Sequence, residues 1–211
     1  MKAVIFDFDG TVADTLPLCI AAFRKAIEPH AGRPISDEEI IATFGPSEEG
    51  TIKALIPDFY EEGLSGYLRN YEDLHGMCAV PFEGMTDILQ SLKEKGKIVA
   101  LVTGKGEKSC RLSLAYYGMD DSFDWIETGS PQGQIKIEGI REVLRRFDLK
   151  PEEAVYVGDA VTDIRCAKAV GMPMWSAAWG SYVDTAELLR QEPDRLFKTV
   201  TEFRTYLEET I

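Results

Sequence analysis

The chain has 211 residues, 45% of them hydrophobic, enough to bury the core of one large domain or of a domain carrying an insertion, and too apolar for a disordered chain. Its 23 Lys+Arg stand against 36 Asp+Glu, a formal net charge of -13, which argues against nucleic acid or an anionic membrane surface as the main partner. The opening MKAVIFDF reaches an aspartate before a signal-peptide core could form, and no apolar run is long enough to span a bilayer, so a cytoplasmic location is expected.

Ala3 to Phe8 predicts a buried strand, and Asp7 and Asp9 sit at its end. Side chains two apart in an extended segment point the same way, so these two acids are expected to lie side by side. A strand-helix-strand unit takes about 30 residues, yet roughly ninety separate Asp9 from the next strand-like run, Ile98 to Val102. Within that interval Leu16 to Ile27, Asp37 to Thr43, Ser47 to Leu55 and Asp58 to Leu74 carry helical patterns, punctuated by Pro29, Pro34, Pro46 and Pro57. They predict an all-helical cap domain, residues 15–80, inserted into a core made of residues 1–14 and 81–211. Beyond it, helices are predicted at Met85 to Lys95, Glu107 to Tyr117, Ile137 to Phe147 and Thr162 to Val170, and strands at Ile98 to Val102, Ala154 to Val157 and Met172 to Ala177. The alternation implies an α/β fold with a Rossmann-like, doubly wound parallel sheet. Ligands of such sheets bind beyond the carboxyl ends of the strands, so the inserted helices would lie above the site as a lid.

The residues that end the strands are polar. The first strand offers Asp7 and Asp9, LVTGKG offers Thr103 and Gly104, and YVGDAVTD offers Asp159 and Asp163. Taken singly, each acid fits a turn or a helix start. Together, four carboxylates on one edge repel unless protonated or bridged by a hard cation, and oxygen-only ligation suits Mg²⁺. The helix after Thr103-Gly104 would offer free N–H groups to a phosphate. GKGEKS, residues 104–109, lacks the glycine pattern of a P-loop or a dinucleotide fingerprint. Cys19, Cys78, Cys110 and Cys166 form no CxxC pair and are expected to be packed, reduced thiols. His30 and His75 stand alone in polar surroundings and are expected at the surface or with satisfied ring nitrogens.

DFDGTVADT, LVTG, Lys136 and VGDAVTD resemble, in order and spacing, the four motifs of the haloacid dehalogenase superfamily, most closely its phosphoglycolate-phosphatase-like branch. The resemblance runs from Lys2 to a last strand near Phe197 and implies a Rossmann-like core with a helical cap inserted after the first strand. It implies a Mg²⁺-dependent phosphatase acting on a small phosphorylated metabolite, with a phosphoglycolate-like substrate the leading choice. Asp7 would be the nucleophile, forming an aspartyl-phosphate. Asp9 would act as acid and then base, its backbone carbonyl joining the metal shell. Gly10, Thr103 and the Gly104 amide would hold the phosphoryl oxygens, and Lys136 would offset their charge. Asp159 would bind Mg²⁺, with Asp163 direct or through water. Lys105, Lys108 and Lys150 compete with Lys136, because GQIKIEGI lacks the proline that often follows the family's lysine. Ala160 stands where the family often has serine.

TFGPSEEGT, residues 43–51, lies between two cap helices, with Ser47 placed to cap the second. Related caps place a specificity loop near this point, so Thr43, Gly45 and Ser47 are candidate substrate contacts, and an ordinary helix-helix turn is the alternative. Other activities share the core. A dehalogenase needs no second acid, so Asp9 counts against it. A phosphonate hydrolase needs a cap lysine, for which Lys25 and Lys53 are candidates. A mutase of the β-phosphoglucomutase kind shares cap and motifs. A phospho-receiver signalling domain, from a different class, has no use for the insertion.

Overall fold

The structure, a computed structural model, describes all residues, Met1–Ile211. Six parallel strands form one sheet in the order β3-β2-β1-β4-β5-β6. They are β1 (Ala3–Phe6), β2 (Ile98–Val102), β3 (Trp125–Glu127), β4 (Ala154–Gly158), β5 (Met174–Ala177) and β6 (Arg195–Phe197). Alternation decides which layer each side chain joins. Val4, Phe6, Val99, Leu101, Val155 and Val157 pack on one face with α5 (Met85–Glu94), α6 (Glu107–Tyr117) and α10 (Val200–Thr210). Ala3, Ile5, Ala100, Val102, Ala154 and Tyr156 pack on the other with α7 (Lys136–Arg146), α8 (Val161–Val170) and α9 (Thr185–Arg190). Both faces are covered, which is why these strands read as continuous apolar runs rather than alternating ones.

Between β1 and α5 the chain forms α1 (Leu16–Ala31), α2 (Asp37–Ile41), α3 (Glu48–Leu55) and α4 (Tyr60–Asp73), with short 3₁₀ turns at Pro57–Phe59 and His75–Cys78 and no strand. These helices enclose their own buried cluster, including Leu18, Phe23, Ile27, Ile40, Ile52, Tyr67 and Tyr71. No helix of the protein is long and apolar enough to cross a membrane.

Most predicted elements lie within a few residues of the observed ones, and the differences have local causes. The first strand stops at Phe6, because Asp7 and the residues after it turn over the sheet edge. Helix α1 runs past Pro29 to Ala31: the proline lies in the last turn, where one missing N–H removes only one bond. Strand β3 and helices α9 and α10 were not foreseen. Trp125–Glu127 is three half-buried residues, too short to display a period. Helix α10 is announced mainly by its N-cap, Thr199, whose hydroxyl accepts from the Glu202 N–H at 3.1 Å. His75 meets neither alternative in full: it is not at the surface, and only one ring nitrogen is satisfied, Nδ1 having no hydrogen-bond partner. It is buried, with Nε2 3.0 Å from the Ser113 hydroxyl and its ring stacked on Tyr116, and burial holds its pKa below the usual histidine value. The four cysteines are free and buried, as expected.

Helix α10 closes the sheet face opposite α7 through Phe203, which is fully buried against Phe6, Trp175, Trp179 and Phe197. Phe203→Ala is expected to lower unfolding free energy by about 3–5 kcal/mol while leaving turnover by the folded protein intact, because Phe203 does not line the cavity beyond the strand ends. Urea unfolding and steady-state kinetics on the same preparation check both halves of this expectation.

Candidate active site

Every strand-end residue singled out from the sequence lies at the carboxyl edge of the sheet, where β1 sits between β2 and β4. Strand order reverses at that point, the position at which open α/β sheets leave a crevice. Asp7 directly follows β1 and its backbone N–H still bonds to the Val157 carbonyl, so the sheet itself fixes where the carboxylate starts. One carboxylate oxygen accepts from the Phe8 N–H at 2.7 Å and the other from Lys136 Nζ at 2.6 Å. The same Nζ lies 2.5 Å from Asp163, whose side chain is fully buried. Lys108 and Lys150 are exposed on the surface, and Lys136 is the lysine that reaches Asp7.

Burial pushes the Asp7 carboxyl up to about 6, against the pull of Lys136. Burial, followed by the fields of Asp163 and Asp7, holds Asp159 well above the usual carboxylate range. For Lys136 burial favours loss of the proton, yet Asp163 and Asp7 outweigh it and raise its pKa. Carboxylate oxygens of Asp7, Asp159 and Asp163 fall within 4.8 Å of one another. This all-oxygen donor set fits a hard divalent cation. The backbone leaves room for the Asp159 carboxylate: Gly10 adopts φ +79°, and a β-carbon there would lie 2.2 Å from an Asp159 oxygen. Thr11 donates to the other Asp159 oxygen at 3.0 Å. Asp163 has both oxygens engaged, one by Lys136 and one by the Ala160 N–H at 2.9 Å, so it also ties the start of α8 to the start of α7.

Asp9 departs from the expectation of four converging, uncompensated acids. Its side chain stands outside the trio and pairs with a second buried lysine, Lys105, at 3.1 Å, while Thr15 donates to the same oxygen. Lys105 was read from sequence only as a rival to Lys136; its position directly after Thr103-Gly104 was the available signal. Its ammonium also sits 4.2 Å from the centre of the Tyr71 ring and 3.6 Å from Cys19 Sγ. The chain thus sends one lysine to each of the two acids. Thr103 and Gly104 line the same cavity as Asp7 and Asp9, and the Thr103 N–H is anchored on the Glu127 carbonyl of β3 at 3.0 Å.

The roof of this cavity comes from α1–α4. Gly45 and its neighbours Phe44 and Pro46 line it, whereas Thr43 and Ser47 do not. The Thr43 hydroxyl is spent on Ile40 and Thr51, and buried Ser47 donates to Glu49 at 2.5 Å rather than capping α3 with its side chain. In this structure their hydroxyls are engaged within the turn, and Gly45 is the candidate that lines the cavity. Lys25 and Lys53 are exposed and outside the lining, so neither candidate for an imine-forming lysine stands at the cavity. Glu48 was missed by the sequence reading. From the first turn of α3 it accepts the Gly106 N–H at 2.7 Å, joining roof to floor at the N-terminus of α6.

Removing one partner of a buried ion pair strands the other charge in the interior. Lys136→Met is expected to destabilise the fold by about 3–5 kcal/mol, because Asp163 has no access to water. Urea unfolding at neutral pH measures it, and a loss within experimental error of zero would refute the stabilising role of this ion pair.

The comparisons agree with this geometry. The family model for haloacid dehalogenase-like hydrolases matches residues 4–177. The pyrophosphatase PpaX of Bacillus pumilus is 28% identical over 204 residues, covering 96% of this chain and 94% of that protein. Among solved structures, a haloacid dehalogenase-like family protein of Streptococcus pneumoniae superposes with a TM-score of 0.79 at 26% identity, covering 98% of both chains. CbbY from Rhodobacter sphaeroides, solved in complex with phosphate, shares the fold with a TM-score of 0.74 at 21% identity over 94% of each chain. With the strand-end acids, their lysines and the inserted helices in place, the chain belongs to the haloacid dehalogenase-like hydrolases and is an enzyme of that family.

Proposed function

We propose that the chain is a Mg²⁺-dependent phosphatase that hydrolyses small phosphate monoesters through an aspartyl-phosphate on Asp7. The observation that carries this reading is the pair Asp7 and Asp9 in one cavity, each held by its own buried lysine. A nucleophile and a proton carrier are thereby separated within a single turn of chain. The PpaX relative, named a pyrophosphatase, supports a phosphoanhydride or phosphoester substrate over an alkyl halide.

In this mechanism an Asp7 oxygen attacks phosphorus, the bond to the leaving oxygen breaks, and Asp9 gives that oxygen its proton. Lys105 stabilises the Asp9 carboxylate that remains and holds its orientation. Water then attacks the aspartyl-phosphate, Asp9 takes the proton, and phosphate is released with Asp7 regenerated. Thr103 and the Gly104 amide, with Gly10 beside them, receive the phosphoryl oxygens, and Lys136 balances charge on Asp7 and on the transferring group. Asp7, Asp159 and the Asp9 backbone carbonyl would hold Mg²⁺, with Asp163 direct or through water. The bound ion would supply positive charge that lets two anions approach. Residues 15–80 act as a cap over residues 1–14 and 81–211, with the Glu48 bond to Gly106 favouring the closed position.

Excess chelator is expected to abolish phosphate release from small phosphomonoesters, and added Mg²⁺ to restore it. Full activity in chelator would refute the metal assignment. The two acids separate by trapping: Asp7→Asn is expected to form no phosphoenzyme, whereas Asp9→Asn, given an ester with an activated leaving group, should accumulate it. Rapid-quench mass measurement reads both, and phosphate found on any residue other than Asp7 would overturn the assignment.

A further inference from the structure

The cavity above Asp7 and Asp9 measures about 470 Å³, within the range of about 300–1,000 Å³ for sites that enclose an extended organic ligand. Away from the carboxylates much of its wall is apolar, with Ile20, Phe23, Ile41, Phe44, Tyr67 and Leu188. Phe23 stacks on Tyr67 with ring centres 4.2 Å apart and meets Phe44 at 6.0 Å. Ile20, Phe23, Tyr67 and Leu188 are buried behind this wall, and its open surface is made by Ile41, Phe44 and Tyr182, which are 38%, 37% and 44% exposed. Apolar side chains left open in a concave site are ones a ligand can cover.

The charges of the wall point the same way. Its cations are Lys105 and Lys136, both on the floor and both paired with acids. The acids away from the floor are Glu48, Asp184 and Glu187. Glu48 accepts from Gly106, Asp184 caps α9 by accepting the Glu187 N–H at 3.0 Å, and Glu187 pairs with Arg190. Arg190 itself is not in the wall. A substrate with a second anionic group, such as the carboxylate of phosphoglycolate or the far phosphate of pyrophosphate, would have to desolvate that charge against apolar side chains and carboxylates, with no free cation to receive it.

We infer that this site takes phosphate monoesters of an uncharged alcohol with an apolar or aromatic body, and discriminates against substrates carrying a second anion at the leaving end. The inference rests on the phosphatase reading for its chemistry and on the cavity wall for its selectivity. It departs from the phosphoglycolate-like substrate that the sequence resemblance implies, and the two are told apart by turnover.

Three probes test it: benzyl phosphate, phosphoglycolate and pyrophosphate, each with Mg²⁺. kcat/KM for benzyl phosphate is expected to exceed that for either dianionic-ended substrate by about tenfold or more. Phe44→Arg, at a half-open wall position, should narrow or reverse the ratio. Equal or better turnover of phosphoglycolate or pyrophosphate by the native enzyme, or a ratio unmoved by Phe44→Arg, overturns the inference and leaves the phosphatase reading standing. Calorimetric titration of the Asp7→Asn protein with benzyl phosphate and with phosphoglycolate judges selectivity without turnover. Tighter benzyl phosphate binding supports the inference even if no probe is hydrolysed, a result that would refute the phosphatase reading alone. Equal or tighter phosphoglycolate binding overturns it.

Discussion

The buried ammonium of Lys136 is the interaction on which the catalytic floor depends. It lies 2.6 Å from Asp7 and 2.5 Å from Asp163, and so joins the end of β1, the first residue of α7 and the first turn of α8. Three carboxylates within 4.8 Å of one another could not share this low-dielectric edge without such a counter-charge. Burial raises the carboxyl of Asp7 and would by itself lower the lysine's pKa; the pairing keeps a positive charge at the bottom of the cavity. The backbone cooperates, since Gly158 leaves space for Asp163: a β-carbon there would lie 2.4 Å from its carboxylate.

A second lysine makes the two opening acids inequivalent. Asp7 is sunk at the sheet edge on Lys136, whereas Asp9 is turned toward Lys105, Thr15 and the base of α1. Lys105 leaves the core loop and ends against Tyr71 of α4 and Cys19 of α1, so it belongs to core by sequence and to the helical layer by contact. Glu48 makes the reciprocal contact, from α3 to the Gly106 N–H. Each layer therefore completes polar groups of the other, and the polar floor is assembled where they meet. Above it the inserted segment contributes the open apolar side chains of Ile41 and Phe44, backed by buried Phe23 and Tyr67.

The sequence by itself determined the sheet strands β1, β2, β4 and β5, the helical character of the long insertion and the acids Asp7, Asp9, Asp159 and Asp163. It could do so because doubly covered strands are continuous apolar runs, and because polar residues ending such runs must lie at one sheet edge. Strand β3 was hidden because three half-buried residues carry no period and are strand only through pairing with β2. What tertiary structure alone decided was which partner each polar group meets. Asp163 lies 27 residues from Lys136 and Asp9 lies 96 from Lys105; chain spacing does not reveal which lysine crosses to which acid. Thr43 and Ser47 had the chemistry of substrate contacts, yet local hydrogen bonds to Ile40, Thr51 and Glu49 took their hydroxyls. The apolar wall was likewise invisible, because nothing in the sequence tells Ile41 and Phe44, left open at the cavity, from Phe23 and Tyr67, which packing buries.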